Sequence, residues 1–87
     1  MMTSEEFAKR FQSHPLGWAF QNMEATDGET SLDRSASMAA GMILLLEFQG
    51  DLTEVEAALL QEAVKGNTRR NYNRLLKTNA AAPDRLQ

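Results

Sequence analysis

Histidine is the side chain best suited to moving protons near neutral pH, and this chain has one, His14. It stands directly before Pro15, where it reads as a turn or capping residue at a helix junction rather than a base. A zinc site needs three or four His, Cys or carboxylate ligands. One histidine and no cysteine do not supply them. There is no GxSxG elbow, P-loop or GxGxxG fingerprint. Asp27-Gly28-Glu29 falls far short of a calcium loop. Glu54, Glu56 and Glu62 are spaced as solvated acids on a helix, not as an acid/base pair. The expectation is therefore a chain with no catalytic residues, no metal and no cofactor.

Charge is more informative than any motif. The chain carries a net charge of −3. Residues 1–64 hold eleven acids against three bases, while residues 65–87 hold six bases and a single acid, Asp84. Lys65, Arg69, Arg70, Arg74 and Lys77 follow one another with no acid among residues 63–83. Arg70, Arg74 and Lys77 share one face of a helix, with Tyr72 beside them. Such a face suits a nucleic-acid backbone. It suits equally an acidic protein surface, in the same chain or in a neighbouring copy. A helix-turn-helix around Gly66 fits badly, because it puts Glu62 and Asn67 at positions that are usually small or apolar. The acidic whole disfavours a polyanion at long range. A dense acidic surface of the kind that mimics DNA is also missing. Protein contact is the first reading and nucleic acid the second, with Arg69, Arg70, Arg74 and Lys77 as candidate contacts in both. Trp18 joins them as a candidate anchor, because it lies opposite the apolar stripe of its own segment and Trp is enriched at interface hot spots.

The elements that position these residues read as helices. From Met38 to Leu46 no side chain is polar, and the surrounding stretch Leu32–Gln49 contains only one β-branched residue, Ile43. The pattern predicts a helix apolar nearly all round its C-terminal half, hence buried on several sides. Ile43 and Leu45 are both expected in the core. Thr30 and Asp33 are spaced as cap and N3, and Gly50 stands where a C′ glycine belongs. Ahead of this stretch, Thr3 and Glu6 have capping-box spacing, and Phe7 and Phe11 are placed to meet on one face. The first helix, Met1 to Ser13, ends at His14-Pro15. Pro15 then opens a second helix with Ser13 or His14 as its cap, and Leu16, Ala19, Phe20 and Met23 form its stripe. After a turn at Ala25–Thr30 and the central helix, Thr53 and Glu56 make the strongest capping box, with Leu52 able to staple onto Ala57. Gly66 is expected to end that helix, and Asn67 or Thr68 to cap a last one, Arg69 to about Thr78.

Eighty-seven residues make one small domain. The fold class is all-α: a bundle of four to five helices around a central buried helix, spanning residues 1–79, with 80–87 as a C-terminal tail. The start of the chain, MMTSEEFAKR, carries no apolar signal region. The longest apolar run is short of the ~20 residues a membrane span requires. The cytoplasm is the expected location, with no membrane contact. By elimination the function class is a non-enzymatic protein–protein interaction module: a small adaptor, regulator or inhibitor. A viral or mobile-element accessory protein binding a host protein fits the size. Its partners are another protein, itself, or both, since the small residues Ala36–Gly41 permit close self-contact.

Overall fold

The computed structural model describes residues 2–80. Four helices make it up: α1 (Ser4–Ala8), α2 (Pro15–Ala25), α3 (Glu29–Phe48) and α4 (Glu54–Ala80), with a 3-10 turn, Lys9–Phe11, after α1. The described residues contain no strand, so the all-α bundle is as expected. Residues 81–87, most of the expected tail, lie outside the described residues; residue 80 belongs to α4.

Local chemistry sets most boundaries. Thr3 accepts from the Glu6 amide while the Glu6 carboxylate accepts from the Thr3 amide, closing both sides of a capping box. Thr53 and Glu56 repeat the arrangement at the start of α4. At α2, His14 Nδ1 accepts from the Leu16 amide at 3.0 Å, and Pro15 fills the first helical position, where its missing N–H costs nothing. At the far end of α3, Gly50 takes φ +84°. The Gly50 amide donates to Glu47 O and the Asp51 amide to Leu46 O. That is a Schellman close, and its positive φ is the conformation glycine adopts without strain.

Three elements differ from expectation. The first is not one helix from Met1 to Ser13: the α-helix covers Ser4–Ala8 and tightens into the 3-10 turn Lys9–Phe11. α3 begins at Glu29 with Gly28 at its cap, so Thr30 lies inside the first turn and caps nothing. α4 runs unbroken through Gly66. Glycine costs ~1 kcal/mol in a helix interior, but it ends a helix only where the chain turns away. Here the packing stripe Ala57, Leu60, Val64, Asn67, Asn71, Leu75 continues across it, and all six are buried. Thr68 is no cap either; its hydroxyl donates back to Val64 O at 2.7 Å. Tertiary packing of one continuous face outweighs a single weak residue.

α4 packs against α1, α2 and α3, and α3 packs against both α2 and α4. The core has two parts. The larger gathers Phe7, Leu16, Ala19, Ala39, Ile43, Leu52, Ala57, Leu60 and Val64. The smaller holds Met23, Leu32 and Leu75. Phe7 and Phe11 meet edge to face at 5.7 Å. Leu52 and Ala57 are buried in the same cluster, as the staple requires.

The expectation that α3 is buried on several sides is not met. Leu32, Ala39 and Ile43 are buried, but Leu45 is 55% exposed and Phe48 90%. α2 and α4, the helices that pack against α3, cover only one side of it. The apolar residues on its other side have nothing within the described chain to pack on.

Candidate interaction surfaces

The outer side of α3 follows from helical geometry. At about 100° per residue, Met38, Gly41, Leu44, Leu45 and Phe48 lie on the side turned from Ala39 and Ile43. All five are exposed. A methyl group placed on Gly41 would touch nothing within 4 Å, so the middle of this side is open and flat. No ionisable residue occurs from Ser35 to Leu46, and Arg34 and Glu47 bound the stretch. Val55, in the first turn of α4, is also exposed. Contiguous exposed apolar surface of this kind marks an interaction site in a folded protein. The sequence signal for it was the all-round apolar pattern of α3. What periodicity alone could not give was how much of that circumference the chain itself covers.

The candidate basic residues do not converge. Arg70 is committed to Glu5, with Nη1 2.8 and 2.9 Å from the two carboxylate oxygens. Arg74 is half-buried and serves the fold: Nη2 donates to Thr26 O at 2.8 Å and Met23 O at 3.4 Å. These carbonyls close the C-terminal end of α2, where a cation is favoured by the helix dipole. Arg69 and Lys77 are exposed, and no ion-pair partner is found for either among the described residues. Lys65 sits 4.0 Å from Glu62 one turn away. Of the predicted basic face, one member pairs with the acidic N-terminal segment and one is a structural clamp. Trp18 is 55% exposed, on the side of α2 opposite Leu16, Ala19 and Met23.

Sequence reasoning missed a polar network on the core face of α4. Arg74 Nε donates to Asn71 Oδ1 at 3.0 Å. Asn71 Nδ2 donates in turn to Asn67 Oδ1 and to Asn67 O. Arginine can only donate, so it fixes which way the Asn71 amide points, and Asn71 fixes Asn67. The Asn67 Nδ2 group is left facing away from this chain of bonds. The available signal was two asparagines at the apolar register positions of α4.

Asn67 also lines a cleft of about 240 Å³ between α1 with its 3-10 turn, α2 and α4. Gly17 also lines the cleft, and there α2 passes so close to the 3-10 turn that a Cβ would collide with Phe11 O.

The Glu6 carboxyl is perturbed by its cap. Its hydrogen bonds to the Thr3 amide and hydroxyl, helped by Lys9, hold it below its ordinary value. Among the described residues no helix is long and apolar enough to cross a membrane, and no group of three or more His, Asp or Glu is placed to hold a metal ion. No protein-family model matches the chain, and neither a curated protein nor a solved structure is detectably similar to it.

Proposed function

We propose that this chain is a non-enzymatic interaction module that binds protein through the outer side of α3, with a second copy of itself as the occupant. One observation carries the reading. Phe48, 90% exposed, ends the apolar outer side of α3, which carries no ionisable residue from Ser35 to Leu46. Leaving so much apolar surface in water is unfavourable at ~25 cal/mol per Å², and covering it is the physical use of such a face.

A second copy fits because of charge. Residues 1–64 are strongly acidic, so most surfaces of this region would repel themselves. A two-fold contact places the same patch on both sides. It therefore needs a patch that carries no charge or matches its own. The side of α3 between Arg34 and Glu47 is such a patch, and open Gly41 lets two helices approach closely. Arg70 meets Glu5 within the chain, so one base of the C-terminal face already serves an internal contact rather than a polyanion. An adaptor or regulator built on this module would switch by exchanging its own copy for a partner's apolar helix on the same side.

Sedimentation velocity tests the reading. At micromolar concentration the wild type is expected to sediment as a dimer. Phe48→Glu places a charge at the apolar end of the face and is expected to give a monomer with an unchanged helical spectrum. A wild type that stays monomeric at high concentration refutes self-association.

A further inference from the structure

We propose that the cleft between α1, α2 and α4 binds a small zwitterionic α-amino acid with an apolar side chain, and that Asn67 is the residue that orients it. Asn67 is only 5% exposed, a polar side chain inside a helix–helix contact. Its Oδ1 is occupied by Asn71. Its Nδ2 donates to no described residue, yet no side-chain nitrogen among the described residues is both sealed from solvent and unpartnered. The amide hydrogens therefore reach solvent, and the cleft is the open space that Asn67 lines. Their direction is locked, because Arg74 fixes Asn71 and Asn71 fixes Asn67. A locked donor at the base of a concave site is the element that gives a small ligand its orientation.

The remaining lining states the ligand's chemistry. Phe20 and Ala63 provide an apolar wall. Glu5 and Arg70 lie on the rim but satisfy each other. That leaves Lys9 and Glu24, one charge of each sign, with no ion-pair partner among the described residues. A ligand that is neutral overall but carries both charges complements this rim. Its carboxylate accepts from Asn67 Nδ2 and Lys9, its ammonium donates to Glu24, and its side chain lies on Phe20. A pure anion or a pure cation would leave one rim charge facing its own sign. The cleft, about 240 Å³, lies just below the ~300 Å³ at which small-molecule sites usually begin, so it suits a small ligand.

The test is a titration followed by the side-chain amide signals of ¹⁵N-labelled protein. The Asn67 pair is assigned by its disappearance in Asn67→Asp. L-Leucine is expected to shift the Asn67 amide saturably with a Kd of about 1 mM, a weak affinity on the usual scale. Leucinamide, which lacks the carboxylate, and N-acetyl-leucine, which lacks the ammonium, are each expected to bind at least about tenfold more weakly, a factor worth ~1.4 kcal/mol. Glu24→Gln lies on the exposed outer turn of α2, should fold normally, and is expected to weaken leucine while leaving N-acetyl-leucine unchanged. Two results overturn the proposal: an Asn67 amide unmoved by leucine at about 10 mM, tenfold above that Kd, or three probes that act alike. Either would make the cleft a solvent pocket beside a structural asparagine.

Discussion

Ile43 and Leu45 are two residues apart on α3, about 200° around the helix, and their truncation should separate the two sides of that helix. Ile43 is fully buried in the larger core cluster, beside residues of α2 and α4. Ile43→Ala removes apolar atoms from a filled site and leaves a cavity, which costs ~2–5 kcal/mol. At ~3 kcal/mol, the melting temperature of a domain this size should fall by roughly 12–24 °C. Leu45 is 55% exposed. In a monomer its truncation should cost only about 1 kcal/mol, roughly half of what a fully buried leucine contributes, because about half of its surface stays in water. The dimer proposed above adds a second expectation. Anything that binds only the folded state raises its stability by mass action, so wild-type melting should rise with protein concentration. Leu45→Ala should lose that concentration dependence while melting only slightly below wild type when dilute. Ile43→Ala should melt early at every concentration. Circular dichroism melts at two concentrations, a hundredfold or so apart, read all of this. Equal destabilisation by both variants in dilute solution would refute the assignment of α3's outer side as uncovered.

Two further outcomes follow from particular positions. Gly17→Ala and Gly66→Ala should have opposite signs: the first puts a Cβ 2.1 Å from Phe11 O, against backbone that cannot give way, whereas the second meets nothing within 4 Å and should stabilise α4 by up to ~1 kcal/mol; urea unfolding of both variants checks this, and a destabilised Gly66→Ala would mean that the helix needs a weak point there. Glu6 is held below its ordinary value near 4.5 by its bonds to Thr3, so its contribution is present above that value and fades as pH falls through the lowered one; Glu6→Gln keeps the capping geometry but cannot titrate, and should flatten this part of the acid limb of a stability–pH curve, an outcome contradicted if the two curves run parallel.

The parts of the fold that could be read directly are those decided within four residues. A Thr-x-x-Glu box closes on its own backbone, a His-Pro step cannot continue a helix, and glycine alone enters positive φ cheaply. Hence Thr3, Thr53, Pro15 and Gly50 do what their types predict. Gly66 carries the same residue signal as Gly50 and does not break its helix, because breaking depends on whether the packing stripe continues, and that is a property of the other helices. The outer side of α3 was hidden for a related reason. A buried face and an uncovered face have the same apolar composition, and only the number of neighbours tells them apart. Arg74 shows the limit most directly. Its partners, Thr26 O and Met23 O, are 48 and 51 residues away, so a side chain that reads as part of a free basic patch turns out to hold the end of α2.

The two places where this chain breaks the local rules are separate, and the separation bears on function. One is an apolar side facing water on α3. The other is a polar layer facing inward on α4. Asn67 and Asn71 lie between Val64, in the larger cluster, and Leu75, in the smaller one, so the polar layer falls where the core divides. An apolar pair there would join the two clusters and remove a buried amide group that needs partners. A polar pair instead fixes the register of α4 against α2 through Arg74, as buried polar residues do in helical assemblies. Register alone explains Asn71, which spends both ends of its amide on the fold. It does not use the outward Nδ2 of Asn67, which a residue with only an acceptor at that position could omit. Sites of such local inconsistency are where function is expected to sit. On the two proposals made above, binding in the cleft would tighten α1 and α2 on α4, and α2 and α4 are the two helices that flank α3, so the cleft ligand and the occupant of the outer side of α3 would be coupled through the same pair of helices.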